Sequence, residues 1–387
     1  MSEEEEQEPY SGFEQGPIRP PSEAFSLLIR ITRNCPWNRC SFCPVYKGSR
    51  FSIRPLEHVL KDIEQIAKSI SLINLRFGGE IYAINEITLN RVLNDAGIDP
   101  QAFICAVNWY STGMRSVFLQ DANSLVLPTE KLLCVLNKLA HNFPNVQRIT
   151  SYARAQTIYK KSLDEMILLK EHGLNRIHIG LESGSDVVLK IMKKGVTKEQ
   201  HIEAGKKVVE AGIELSEYYM PGLGGQKFWK EHAIESADAL NQINPTFIRF
   251  RTLAIPSNTP LYEEWQSSHF KKCTDLEIAQ ELLCFIEHLD GITSIIKSDH
   301  ILNLLPELEG QLPEDKEKMI TIINEFLNLP QDEKLIFQIG RRMGLFEKLY
   351  DRMDFKKRSV VQQIIRQYDI HNDNVEEVIN QFMSRML

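Results

Sequence analysis

The sequence predicts an α/β fold, a partial (β/α)6 TIM-type barrel followed by a helical C-terminal extension. Short β-prone apolar runs alternate with helical patterns from Ala24 to about Ile255, and only helical patterns follow Pro260. Such alternation is typical of β–α units around a parallel sheet. An acidic, Pro- and Gly-containing segment precedes it and has little to bury. The predicted domains are a disordered acidic lead-in (1–23), the barrel (24–260, with an insertion at about 76–115) and a helical C-terminal region (261–387).

Six strands and five helices are predicted within the barrel. Gly173 and Gly212 follow two of the helices, where C-terminal caps are expected. The predicted strands are Phe25–Ile31, Ser116–Leu119, Arg148–Ser151, Arg176–Gly180, Glu214–Met220 and Phe247–Leu253. The predicted helices are Thr129–Asn142, Ser162–His172, Ser185–Met192, Lys198–Ala211 and Lys230–Ile243.

Composition argues against several classes of protein. The chain is 43% hydrophobic, carries a net charge of −7, and contains no apolar run long enough to span a bilayer. We therefore expect no membrane partner. Because an excess of acid disfavours extended phosphate contacts, nucleic acid is not the expected partner either, and RNA bound by a local basic patch is the second alternative. Cys105, Cys134, Cys273 and Cys284 are scattered and no segment resembles a secretory signal. We therefore expect no disulfides and a cytoplasmic location.

Three cysteines lie close together after the first predicted strand. Cys35, Cys40 and Cys43 occur in the run ITRNCPWNRCSFCPVYKG. Three thiolates can hold three irons of a [4Fe–4S] cluster and leave the fourth iron open to a substrate or cofactor. A structural zinc site would require a fourth Cys or His, and no His lies near this loop. The spacing predicts an iron–sulfur site, either catalytic or, as the alternative, a non-catalytic redox or sensor centre on a barrel scaffold.

The cysteine loop resembles the signature of radical S-adenosylmethionine (SAM) enzymes. That signature is C-x3-C-x2-C with an aromatic residue before the last cysteine, a position that Phe42 occupies here. This chain has the C-x4-C-x2-C spacing of a subset of the family, and it resembles the branch of oxygen-independent porphyrinogen oxidases and methylthiotransferases. The resemblance implies that Cys35, Cys40 and Cys43 ligate a [4Fe–4S] cluster whose fourth iron binds SAM.

The resemblance also implies the chemistry and the partners. The reduced cluster cleaves SAM to a 5′-deoxyadenosyl radical, which abstracts hydrogen from a substrate that the sequence does not identify. An oxygen-sensitive centre and an electron donor such as flavodoxin or ferredoxin are implied with it. We expect a small-molecule substrate.

Residues that follow the predicted strands are the candidate SAM contacts, because barrel cofactors lie at the carboxyl ends of the strands. Asp121 and Asn123, or alternatively a Gly-Gly-Glu at Gly78–Glu80, would meet the SAM ammonium, and Arg154 its carboxylate. By resemblance, Glu182 would bond the ribose and the glycine run at Gly222 would lie against the adenine. A surface turn, a salt bridge and a helix cap are the structural alternatives. The complete candidate set is Phe42, Asp121, Asn123, Ser151, Arg154, Glu182, Ser183 and Gly222.

Three further charged residues have an open assignment. Arg249 and Arg251 are two residues apart in the sixth predicted strand and therefore share a face, where they either bind an acidic substrate or pair with core acids. His300 either reaches over the barrel mouth or belongs to the start of a helix.

Overall fold

The structure is a computed structural model that describes residues 8–77 and 86–385. The predicted Gly78–Glu80 site lies outside the described residues. The chain divides into two compact units: the first contains Met1–Pro36, Gly48–His178 and Ala211–Ile213, and the second contains Trp37–Lys47, Ile179–Glu210 and Glu214–Leu387. This division follows contacts within the fold and differs from the predicted boundary at residue 260, which stays a prediction.

The first unit contains a parallel arrangement of strands and helices. In β1 and β4, Leu27 lies opposite Val117, and in β4 and β5, Ser116 lies opposite Arg148. β2 and β3 form an antiparallel pair. The strands are β1 (Leu27–Arg30), β2 (Thr32–Arg33), β3 (Ser52–Ile53), β4 (Ser116–Gln120) and β5 (Arg148–Ala153). The helices are α1 (Leu56–Phe77), α2 (Glu86–Ala96), α3 (Pro100–Ser111), α4 (Thr129–Asn142), α5 (Ala155–Lys160) and α6 (Leu163–Glu171).

The chain passes from the first unit to the second within β6 (Leu174–Glu182). In the second unit, β7 and β8 are parallel, as are β8 and β9, and β10 runs antiparallel to β9. The strands are β7 (Glu214–Tyr219), β8 (Phe247–Phe250), β9 (Ile295–Lys297) and β10 (Gly310–Gln311). The helices are α7 (Asp186–Ile191), α8 (Lys198–Glu210), α9 (Gly225–Ile243), α10 (Pro260–Gln266), α11 (Asp275–Glu287), α12 (Lys316–Leu327), α13 (Gln331–Arg342), α14 (Phe355–Gln367) and α15 (Val375–Arg385).

The predicted α/β class is confirmed. In the described residues the main sheet has the strand order β1-β4-β5-β6-β7-β8-β9-β10 and is mostly parallel, and all six predicted strands are present in it. Gly173 and Gly212 have φ angles of 100° and 72°, the left-handed conformation expected after a helix. The sheet does not end at β8, because β9 and β10 add to it after the predicted last strand. Strands of three and two residues give too short a pattern to recognise in a sequence.

The N-terminal segment packs on the first unit from residue 8 onward, which differs from the predicted disordered lead-in. Phe13 is buried, and the Tyr10 hydroxyl donates a hydrogen bond to Asp62 Oδ1 at 2.8 Å. The Glu14 carboxylate accepts hydrogen bonds from Arg30 and Arg33. Acidic residues in this segment therefore serve as counter-ions for arginines of β1 and β2, which composition alone does not reveal.

The predicted insertion at about 76–115 is helical where it is described. Asp99 accepts a hydrogen bond from the Ala102 amide and caps α3, and Phe103 and Trp109 are buried on one side of that helix. The helix predicted at Lys230 begins at Gly225 instead. Part of the glycine run that begins at Gly222 therefore forms a helix start, with Gly224 as the N-cap residue of α9 and Gly225 as its first residue. Glycine is tolerated better at a helix cap than in the interior of a helix.

Candidate functional site

Asp121 is fully buried at the carboxyl end of β4, in the first unit. Its Oδ2 accepts hydrogen bonds from Arg30 Nη2 at 2.7 Å and from Arg30 Nε at 3.0 Å. The same oxygen accepts from the backbone amide of Asn34 at 3.1 Å. Arg30 and Asp121 therefore hold the residue that precedes Cys35. Sequence analysis missed Arg30, whose only signal was a charged residue ending an apolar strand.

Asn123 and Ser151 also lie in the first unit and are buried. The Asn123 side chain donates to Thr157 Oγ1 at 2.8 Å and accepts from the Arg154 amide at 3.1 Å. The Ser151 hydroxyl donates to the Leu119 carbonyl oxygen at 3.3 Å. The Arg154 guanidinium is partly exposed and lies 3.4 Å from Gln156 Oε1. The backbone after β4 is thus tied to the backbone after β5, and the SAM contacts assigned to these residues stay predictions.

The three cysteines are partly exposed, and none of them forms a disulfide. Cys35 belongs to the first unit, and Cys40 and Cys43 belong to the second. In the second unit, Cys40 and Cys43 pack against an apolar cluster that includes the buried side chain of Phe42. We call this the cysteine-loop cluster; its buried members are Phe42, Val188, Met192, Met220, Leu223, Leu253, Ile255, Leu261 and Phe270. Apolar packing excludes water from one side of the two thiols.

Trp37 fixes the cysteine loop to the segment after α7. Its indole Nε1 donates to the Lys193 carbonyl oxygen at 2.7 Å. Gly195 has a φ of 72°, and a Cβ there would overlap the Trp37 ring. The backbone of Ser41 adds a donor to the Met192 carbonyl oxygen at 3.0 Å and an acceptor for the Leu261 amide at 3.0 Å. The segment between Trp37 and Cys43 is therefore held from two sides, an arrangement that sequence analysis missed.

Glu182 ends β6 with a φ of 62°, in the left-handed region that a non-glycine residue adopts at some energetic cost. Its Oε1 lies 3.0 Å from Lys194 Nζ. The same ammonium lies 5.9 Å from the centre of the Phe42 ring. Lys194 thereby links the candidate ribose-binding carboxylate to the aromatic residue of the cysteine loop. No motif or spacing in the sequence indicates a role for this lysine.

Ser183 belongs to a buried hydrogen-bonded chain behind β6. Its Oγ lies 2.8 Å from His232 Nδ1, and His232 Nε2 lies 3.1 Å from the Met220 carbonyl oxygen. Burial lowers the pKa of His232 to about 4, so the ring is neutral near pH 7. The neutral ring donates a hydrogen bond from Nε2 to the Met220 carbonyl oxygen. Its Nδ1 accepts a hydrogen bond from the Ser183 hydroxyl group. Ser183 is thus a structural link between β6 and α9, and its predicted SAM contact is not tested by this geometry.

Gly222 is held by the buried carboxyl group of Glu281, a residue of α11. Its amide donates to Glu281 Oε1 at 2.9 Å, and the Tyr219 hydroxyl donates to the same oxygen at 2.8 Å. Burial raises the pKa of Glu281 to about 8, so this carboxyl group is largely protonated near pH 7. A residue of α11 therefore fixes the glycine turn after β7. Sequence analysis missed Glu281 because it lies far along the chain in an otherwise apolar helical pattern.

Arg249 is paired with a carboxylate. Its guanidinium forms an ion pair with Asp299 and donates to Ser216 Oγ at 3.2 Å. For Arg249 this contact favours the structural alternative. Burial, with Arg251 nearby, lowers the pKa of His300 to about 4. His300 Nδ1 accepts the Leu302 amide at 3.3 Å, so it supports the local turn.

The donor set suits an iron–sulfur cluster. Three thiol groups from one loop are soft ligands of the kind that hold [4Fe–4S] clusters, and none of the three is used in a disulfide. Within the described ranges, no group of three His, Cys, Asp or Glu side chains is placed to hold a metal ion. The fit therefore rests on the chemistry of the donors and on the apolar packing around Cys40 and Cys43.

Comparison with known proteins finds a match to one family. Residues 106–237 match the model of the Radical SAM superfamily. The chain therefore contains a region that matches the Radical SAM superfamily. Members of this superfamily are enzymes that use a [4Fe–4S] cluster and SAM, which confirms the class of chemistry and the cofactors implied by the resemblance. The matched residues begin after the cysteine loop, so the assignment of the individual ligands stays a prediction.

Curated relatives of this radical SAM chain have different activities. It is 21% identical to the tRNA uridine(34) acetyltransferase of Methanocaldococcus jannaschii, over 69% of this chain and 49% of that protein. It is 28% identical to the 4′-phospho-dehydrooxetanocin synthase of Priestia megaterium, over 49% of this chain and 22% of that protein. It is 24% identical to the heme chaperone HemW of Buchnera aphidicola, over 61% of this chain and 52% of that protein. The chain spans about half, or less, of the length of these relatives.

Solved radical SAM structures resemble the chain at low sequence identity. Coproporphyrinogen III oxidase (HemN) of Escherichia coli has a TM-score of 0.45 and 15% identity over 68% of this chain and 52% of that one. The cobalamin-dependent enzyme OxsB, with aqua-cobalamin and SAM bound, has a TM-score of 0.45 and 15% identity over 93% of this chain and 54% of that one. No helix in the part of the chain that the structure describes has the length and hydropathy needed to cross a membrane.

Proposed function

We propose that this chain is a radical SAM enzyme whose [4Fe–4S] cluster is held by Cys35, Cys40 and Cys43 and that acts on a small-molecule substrate. When bound, the cluster and SAM supply a one-electron cleavage of the sulfonium that yields methionine and a 5′-deoxyadenosyl radical for hydrogen abstraction. The observation that carries the proposal is a loop of three cysteines, outside any disulfide, in a chain of this superfamily. No other group of the chain is required as an acid or base in that step.

The residues around the loop position and shield the cofactors. Phe42 and the rest of the cysteine-loop cluster keep water from one side of Cys40 and Cys43. Glu182, whose carboxylate Lys194 fixes, would accept hydrogen bonds from the ribose hydroxyl groups of bound SAM. Gly222, held by Glu281, brings backbone close to the adenine.

The predicted partners follow from charge and from the need for electrons. An acidic chain with a net charge of −7 suits a small-molecule substrate better than nucleic acid. The names of several relatives refer to tRNA modification, so tRNA is the substrate against which this proposal is tested. A cytoplasmic location and reduction by flavodoxin or ferredoxin complete the proposal.

The test is anaerobic reconstitution with iron and sulfide, reduction by dithionite in the presence of SAM, and measurement of 5′-deoxyadenosine. Wild type should form 5′-deoxyadenosine, and Cys35→Ala, Cys40→Ala and Cys43→Ala should not. Cys134→Ala is the matched control, because Cys134 is an exposed cysteine on α4 outside the loop. A wild-type chain that assembles a full cluster and leaves SAM intact would contradict the proposal. Stimulation of SAM cleavage by bulk tRNA would contradict the small-molecule assignment.

A further inference from the structure

The second unit contains a cavity of about 540 Å³ beside its C-terminal helix. Cavities of this size hold metabolite-sized ligands. The segment after β8 supplies Ala254 and Ile255 to its wall, α10 supplies Tyr262 and Trp265, and α15 supplies Asn380. None of the candidate SAM contacts lines this cavity. It is therefore a separate volume, and nothing proposed above fills it.

One wall of the cavity is aromatic. The rings of Tyr262 and Trp265 meet edge to face, with centroids 5.9 Å apart and planes at 76°. Both rings pack against the cysteine-loop cluster, and Ile255 belongs to that cluster and to the cavity wall. The same apolar layer thus contacts the cysteine loop and the cavity. A planar ring stacked on this wall would gain favourable apolar and π contacts.

The polar side of the cavity carries a cation. Lys272 Nζ donates to Asn380 Oδ1 and lies 3.9 Å from Met383 Sδ, both on α15. Across the described residues, no carboxylate lies within 4.0 Å of this ammonium; nearby Asp275 is instead paired with Arg342. Burial, the largest cause, lowers the pKa of Lys272 to about 8, and the carboxyl groups of Asp275 and Glu376 act in the opposite direction. An anion bound here would be favoured by this charge.

The other side chains that line the cavity do not strongly repel an anion. Glu377 is the acidic residue of the lining, but its side chain is exposed and its charge is therefore screened by water. Gln266 and Ser257 supply neutral groups that can donate or accept hydrogen bonds at the edge of a ring. The lining thus combines an aromatic face, one desolvated cation and neutral polar edges.

We propose that this cavity binds a planar aromatic or heteroaromatic acid, with its ring on Trp265 and Tyr262 and its carboxylate or phosphate on Lys272. That this acid is the substrate of the radical reaction rests on the function proposed above, whereas binding at the site does not. The C-terminal helix α15 then acts as one wall of a substrate site, because Asn380 holds the Lys272 ammonium in place.

The test is calorimetric titration of the reconstituted chain with three probes that share a naphthalene ring: 2-naphthoate, 2-naphthyl phosphate and the neutral 2-naphthamide. Wild type should bind at least one of the two anions about tenfold more tightly than the amide, as a charge-assisted hydrogen bond implies. The tighter anion identifies which acid the site prefers. Lys272→Met should remove the preference and keep the affinity for the amide, and Lys272→Arg should retain the preference.

Two controls separate this site from the rest of the surface. Lys271→Met changes the neighbouring lysine, which lines a different groove, and should leave all three affinities unchanged. Trp265→Leu should weaken all three probes by a similar factor of about ten. Equal affinities of wild type for anions and amide, or an equal loss in Lys271→Met and Lys272→Met, would overturn the proposal. Because binding is measured without SAM cleavage, failure here is distinguishable from failure of the proposed enzyme activity.

Discussion

Glu182 Oε1 lies 3.0 Å from Lys194 Nζ at the carboxyl end of β6. This ion pair holds the Glu182 carboxylate at a strand end, where we propose that it binds the ribose of SAM. Neither side chain is fully exposed, so the pair is less screened than a surface pair. The lysine orients the carboxylate.

Glu182→Gln should weaken SAM binding by about tenfold, because a charged acceptor is replaced by a neutral one. Equilibrium dialysis of SAM against the reconstituted chain measures the change. Glu235→Gln is the matched control, since Glu235 pairs with Lys198 on the exterior side of α9 and is half exposed. Unchanged SAM affinity in Glu182→Gln would remove this residue from the cofactor site.

Trp37→Ala should lower the iron content of the reconstituted chain. The indole hydrogen bond to Lys193 and the close packing on Gly195 are lost together, so the cysteine loop is no longer fixed. We expect a loss of about half or more of the bound iron, with little change in the unfolding temperature of the apo chain. Trp229→Ala, on α9, should retain its iron. Equal iron in Trp37→Ala and wild type would mean that the loop does not need this anchor.

Gly184→Ala should destabilise the chain more than a glycine substitution in open space. A Cβ at Gly184 would overlap the backbone carbonyl oxygen of Glu235, and backbone atoms cannot rotate away. Overpacking of this kind costs about 1–3 kcal/mol of the free energy of unfolding. At Gly212 a Cβ meets nothing within 4 Å, so Gly212→Ala should cost only the left-handed backbone strain of about 1 kcal/mol. Urea unfolding of the two variants measures the difference, and equal losses would contradict the close approach of Gly184 to α9.

Glu281→Gln should flatten the pH dependence of stability. Burial raises the pKa of Glu281 from 4.5 to about 8, so its contribution to stability is complete below pH 4.5 and is lost as the pH rises through about 8. Between these values the free energy of unfolding of wild type should fall by up to about 1.4 kcal/mol per pH unit from this group. Glutamine keeps the acceptor for Gly222 and Tyr219 and does not titrate.

The measurement is urea unfolding of the apo chain at pH 5, 6, 7 and 8. The difference between wild type and Glu281→Gln should change steadily with pH in favour of the variant. Glu314→Gln changes an exposed carboxylate and should follow wild type. A pH-independent difference would show that Glu281 is ionised in the folded chain.

Local patterns were sufficient to predict most of the sheet and the cysteine loop. Apolar periodicity is local, and so β1 and β4–β8 were found, as were the glycine caps at Gly173 and Gly212. The partners of the candidate site residues were not found. Arg30 and Asp121 are 91 residues apart, and Tyr219 and Glu281 are 62 residues apart, and no spacing rule connects residues at such separations. Burial is what selects these pairs, because an unpaired polar group inside the protein is costly.

The segments predicted least well are those in which apolar residues do not recur at a regular spacing. α2 and α3 lie in a stretch that we interpreted as an insertion of unspecified structure, and β10 has only two residues. The lead-in was predicted from composition, which does not reveal that Glu14 meets arginines of β1 and β2. Contacts of this kind depend on the positions of the arginines in the folded strands, which composition does not specify.

The central claim is that Cys35, Cys40 and Cys43 hold a [4Fe–4S] cluster with one iron open to SAM. Electron paramagnetic resonance of the dithionite-reduced chain, recorded with and without SAM, tests it most directly. The account predicts a reduced-cluster signal that changes on addition of SAM, is lost in each of the three Cys→Ala variants, and is retained in Cys134→Ala. A cluster signal that is identical with and without SAM, or that persists when the three cysteines are replaced, would contradict it.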